Sequence, residues 1–68
     1  MKNNYQSRLV MNAQKLGYDP LKLIRMYSIY EIKYSGYPEK PIEEKHKEQA
    51  FNQTMKDILV QYNTDNQK

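Results

Sequence analysis

Gly17-Tyr18-Asp19-Pro20-Leu21-Lys22-Leu23-Ile24-Arg25-Met26-Tyr27-Ser28-Ile29-Tyr30-Glu31-Ile32-Lys33-Tyr34-Ser35-Gly36 is the stretch on which the architecture turns. Asp19 can cap a helix through its side-chain oxygen, and its charge meets the positive end of the helix dipole. Pro20 suits the first helical position, because the N–H it lacks would be unpaired there anyway. A helix is therefore expected to begin at Pro20. Leu23, Met26, Tyr27, Tyr30 and Tyr34 then share one wide face at helical spacing. Leu21, Ile24 and Ile32 lie on another, with Ile29 beyond them. A helix that is apolar nearly all round is normally a central one. Residues 30–34 also alternate with period two, and Tyr and Ile favour strands. A strand needs a partner, however, and no other segment offers a convincing one. The expected element is a helix over 20–35, ended by Ser35-Gly36-Tyr37-Pro38.

Upstream, Tyr5, Leu9, Ala13 and Leu16 fall at i, i+4, i+8 and i+11. That spacing predicts a helix over about 3–16, with Gly17 placed for a left-handed C-terminal cap. Downstream, the prolines at 38 and 41 predict a stiff, extended connection over 37–41. A third helix is expected over about 41–62, opened by Pro41, Glu43 and Glu44 and with its apolar face carried by Phe51, Met55, Ile58 and Tyr62. Between Glu43 and Gln49 there is almost no apolar side chain, and 63–68 reads as a flexible polar tail. The resulting fold class is all-α: one domain over 1–62, a small three-helix bundle with helix 2 between helices 1 and 3. The short connections suit antiparallel neighbours.

Composition sets limits on function. In a chain of 68 residues the apolar set is 38%, but seven of its members are Tyr and four are Met. A domain of this size buries only about 60% of the surface its unfolded chain exposes, so the core is lean. This disfavours a large catalytic pocket or a cofactor fold, and dimerisation that covers helix 2 would help stability. The chain has no cysteine. A small secreted domain usually depends on disulfides, so a reducing, cytoplasmic setting is expected, and thiol-based metal sites and catalysis are excluded. No signal peptide is read at the N-terminus, and Lys22, Arg25, Glu31 and Lys33 break the longest apolar-rich stretch, so no membrane span is expected.

Chemistry-bearing constellations are sparse. The only histidine, His46, has Glu43 at helical spacing but no third ligand, so no metal site is expected. Ser7, Ser28 and Ser35 have no histidine close in sequence to act as a base. With two glycines in the chain there is no phosphate-cradling loop, and no cofactor is expected. The protein therefore reads as non-enzymatic.

What remains is a basic, tyrosine-rich first half. Residues 1–37 carry a net charge of +4, residues 38–68 a net −1, summing to the chain's +3. Tyr and Arg are enriched at interface hot spots, and a helix with more apolar surface than its neighbours can cover leaves a patch for a partner. The expected contact surface is helix 2 and its end: Arg25, Tyr27, Tyr30, Lys33, Tyr34 and Tyr37. The expected role is regulatory or inhibitory binding of another protein, a job that small proteins of phage and mobile elements often do. The alternative is a small nucleic-acid-binding protein, with cations on phosphate and tyrosine rings stacked on bases.

In layout, the helix–Gly17–helix stretch from Leu9 to Tyr34 is similar to small phosphatases that act on sporulation response regulators. That family's second helix carries a Ser-Gln-x-Leu-Asp motif, whereas residues 27–31 here read Tyr-Ser-Ile-Tyr-Glu. No activity is carried over.

Overall fold

The computed structural model describes residues 4–66 and is all-α, with no strand among the described residues. Three helices follow in chain order: α1 (Tyr5–Leu16), α2 (Pro20–Ser35) and α3 (Glu44–Asn66). Each boundary has a local cause. At the start of α1, Asn4 Oδ1 accepts the Ser7 amide at 3.0 Å, which satisfies one of the helix's unpaired first-turn donors. Gly17 ends α1 at φ +82°, with its N–H donating to the Ala13 carbonyl. At α2, Asp19 Oδ1 accepts the Leu21 amide at 3.0 Å and Pro20 takes the first position. Gly36 ends α2 at φ +86°, with its N–H on the Ile32 carbonyl. The alternative of a strand over residues 30–34 gives way because α2 runs unbroken to Ser35. That continuity sets Tyr30 and Tyr34 on one face, both reaching α3.

The second connection differs from expectation. The amides of Glu39 and Lys40 both donate to the Gly36 carbonyl, so the chain turns immediately after α2 instead of extending through 37–41. α3 accordingly starts at Glu44, three residues after Pro41. The Glu43 carbonyl accepts the His46 and Lys47 amides, and His46 Nδ1 in turn accepts the Glu43 amide at 3.0 Å. This side-chain-to-cap reciprocity is the arrangement that Glu or Gln supplies in a capping box. At its other end α3 continues through Asn66, so residues 63–66, expected in the polar tail, form its last turn. Residues 67–68 lie outside the described region.

α2 packs against both neighbours, with its larger interface on α3, and α1 also touches α3. Tyr5, Leu9 and Ala13 of α1, Leu23 and Tyr27 of α2, and Ala50, Phe51 and Ile58 of α3 form the buried core. Its aromatic centre is Tyr5, whose ring lies 5.3 Å from Phe51 and 6.3 Å from Tyr27, centroid to centroid, both tilted. These separations fall within the favourable range for aromatic pairs. Arg8 places its guanidinium over the Phe51 ring, 4.5 Å from the centroid. Thr54 is fully buried, and its hydroxyl is satisfied by the Ala50 carbonyl at 2.8 Å. No residue from Glu43 to Gln49 is buried, so the first turns of α3 run beyond the core.

Candidate interaction surface

The two sides of α2 have different chemistry. On the side toward α3, polar side chains tie the helices together. The Tyr30 hydroxyl donates to the Asp57 carboxylate, and Gln53 Nε2 donates to the other oxygen of that carboxylate at 2.8 Å. The Tyr34 hydroxyl reaches Gln53 Oε1 at 3.4 Å, and the Tyr30 and Tyr34 rings stack 6.0 Å apart. Near the start of α2, Lys22 Nζ donates to Gln61 Oε1 at 3.2 Å, and Tyr18 donates to Asp65 at 3.0 Å. The Tyr30 and Tyr18 hydroxyls resist ionisation. The bond to Asp57 is the first cause at Tyr30, and burial, followed by the bond to Asp65, at Tyr18.

The residues expected to form a contact surface are dispersed by this geometry. Tyr27 is only 3% exposed and packs against Tyr5, so it is a core residue out of a partner's reach. Burial, reinforced by the neighbouring Glu31 carboxylate, raises its pKa well above the usual tyrosine value. Tyr30 is partly buried and committed to Asp57, and Tyr34 leans on α3 through Gln53. Lys33 is exposed, with its ammonium 6.0 Å from the Tyr30 ring centroid. Tyr37 is 51% exposed but stands beyond the end of α2. Arg25 is exposed on the outward side of the helix, away from the tyrosines.

That outward side carries exposed apolar residues outside the tyrosine set. Leu21, Ile29 and Ile32 are 62%, 64% and 48% exposed. At about 100° per residue they fall within an arc of roughly 80°, and Arg25 lies inside it. Lys22 and Lys33 border the arc on the α3 side. On the α1 side Ile24, three residues from Leu21 and so on the adjacent helical position, lines a shallow open groove with Val10 and Met11. Asn4, Gln6 and Ser7 also line that groove. Apolar side chains thus reach from this side of α2 onto α1, with Arg25 among them, Lys22 and Lys33 on the α3 side and Glu31 next to Ile24 on the α1 side. The sequence did place Leu21, Ile24 and Ile32 on a second face of α2. What could have identified it as a surface is the count of neighbours: two helices pack against α2, and both are used by the Leu23–Tyr27–Tyr30–Tyr34 side.

No protein-family model, curated protein or solved structure matches this chain. Among the described residues no group of three or more His, Cys, Asp and Glu could hold a metal ion, and no helix is long and apolar enough to cross a membrane.

Proposed function

We propose that the protein is a non-enzymatic binding module, regulatory or inhibitory in type, whose partner is another protein that docks on the outward face of α2. The observation that carries this reading is the exposure of Leu21, Ile29 and Ile32 together on one helical face. Scattered exposed apolar residues are ordinary, whereas three large aliphatic side chains on one stripe of a domain this small make a patch of the kind that partners cover. The polar groups between the helices supply no competing reaction centre, because Tyr30, Asp57 and Gln53 are tied to one another, as are Tyr18 and Asp65. Helix-in-groove or helix-on-helix docking is the recognition mode such a stripe suits.

Affinity capture from a lysate of the source cells, with nuclease added, tests the reading. The wild-type chain should retain a stoichiometric protein that Ile29→Glu/Ile32→Glu loses, while the variant keeps its helical circular-dichroism spectrum. Release of all bound material by nuclease, or undiminished capture by the variant, would overturn it.

A further inference from the structure

We infer that the outward face of α2 takes an acidic amphipathic helix, one whose apolar edge covers Leu21, Ile29 and Ile32 and whose carboxylates meet Lys22, Arg25 and Lys33. This rests on the reading of that face as a protein-docking surface and names the partner's chemistry. The argument is charge complementarity. Three cations lie in or beside the apolar arc, and the contacts that Lys22 and Lys33 make are with neutral groups: the Gln61 amide oxygen and the rings of Tyr18 and Tyr30.

The acids on α2 and at its seam with α3 lie outside this arc. Glu31 stands by Tyr27, Asp57 holds Tyr30 and Gln53, Asp65 holds Tyr18, and Asp19 caps α2. A second copy paired through this same α2 face is therefore a poor occupant. It would bring its own Lys22, Arg25 and Lys33 to the same seam, with no carboxylate inside the arc to meet them. Like charges brought together across an interface select against that pairing. From Leu21 to Ile32 the stripe is about 16 Å long at the helical rise, so roughly three turns of a partner helix cover it.

The test uses the full chain, isotope-labelled, and three stapled helical peptides with the same leucine seam. Their remaining positions are all glutamate, all glutamine or all lysine. The glutamate peptide should bind tightest and shift the amide resonances of Leu21, Arg25, Ile29 and Ile32. Arg25→Glu/Lys33→Glu, at exposed positions, should weaken it by about tenfold, since each exposed pair changes from attraction to repulsion. The same variant should strengthen the lysine peptide. Equal affinity for the glutamate and glutamine peptides would overturn the acidic partner and leave the docking face standing. Resonance shifts confined to Tyr34, Tyr37 or α3 would overturn both. Binding of oligothymidylate or phosphatidylglycerol vesicles with no peptide bound would also overturn both. Concentration-dependent dimerisation abolished by Ile29→Glu would make a second copy the occupant and overturn the proposal.

Discussion

Leu21 and Leu23 stand two residues apart in α2 on opposite sides of the helix: Leu23 is completely buried and Leu21 is 62% exposed. The pair separates what holds the bundle together from what it presents outward. Leu23→Ala removes side-chain volume from the centre of the core, a change that costs about 2–5 kcal/mol. A domain of this size has little more than that to lose. Leu23→Ala should therefore be largely unfolded, whereas Leu21→Ala should stay within about 0.5 kcal/mol of wild type. Urea titrations followed by circular dichroism check both. An equally large loss at Leu21 would mean that this face is covered in solution.

Tyr30 and Asp57 make the central polar tie between α2 and α3. Tyr30→Phe keeps the ring that stacks on Tyr34 and removes only the donor to the carboxylate. Asp57 keeps its Gln53 bond but loses its partner on α2. The expected outcome is a melting temperature lowered by a few degrees with unchanged helicity. Tyr34→Phe should have a smaller effect, because its 3.4 Å contact with Gln53 is long for an O–H···O bond. In a double-mutant cycle, Tyr30→Phe and Asp57→Asn should be non-additive, since they act on one bond. Additive losses would place the stabilising role of Tyr30 in its ring alone.

How much of this was legible in the sequence depended on whether the signal was local. Asn4 lies one residue inside the start expected for α1, while Asp19, Pro20, Gly17 and Gly36 mark helix ends by their own backbone chemistry, and α2 occupies 20–35 as the Asp19-Pro20 and Ser35-Gly36 signals require. The start of α3 was misplaced because two non-local facts decide it. The chain turns back on the Gly36 carbonyl, and His46 supplies the bond to Glu43 that a conventional capping residue would give. The exposed face of α2 was the least legible. Helical periodicity puts Tyr30 and Tyr34 together correctly, but it cannot tell that Asp57, more than 15 residues downstream, will take the Tyr30 hydroxyl and that Gln53 will stand 3.4 Å from the Tyr34 hydroxyl. Once α3 claims the tyrosines, the aliphatic residues on the other side of α2 are left exposed.

Gly17 holds a left-handed conformation at φ +82°, and a side-chain carbon added there would meet no atom within 4 Å. The cost of Gly17→Ala is thus purely one of backbone conformation, about 1–2 kcal/mol. Gly17→Asn should cost less, because asparagine tolerates the left-handed region best among residues with a side chain. Thermal melts of the two variants give the ordering. A neutral alanine variant would show that the α1–α2 turn can relax into another geometry.

Alkaline pH should unfold the protein through its tyrosines. Tyr27 is held neutral first by burial and then by the Glu31 charge beside it, Tyr30 first by its bond to Asp57, and Tyr18 first by burial and then by its bond to Asp65. All three therefore keep their protons to higher pH in the folded chain than in the unfolded one. Below about pH 9, a unit under the value for unfolded tyrosine, both states carry these protons and the three groups give no pH dependence. Above it the unfolded chain binds fewer protons than the folded one, so stability falls as pH rises. Chemical denaturation between neutral pH and strong alkali should show a plateau followed by a decline. Tyr27→Phe, which leaves the ring in the core and removes the most perturbed of the three hydroxyls, should make that decline shallower. The tyrosinate absorbance of the folded wild type should lag behind that of the urea-unfolded chain. Superimposable titrations in the two states would show that these hydroxyls are not held as the packing of α2 on α1 and α3 requires.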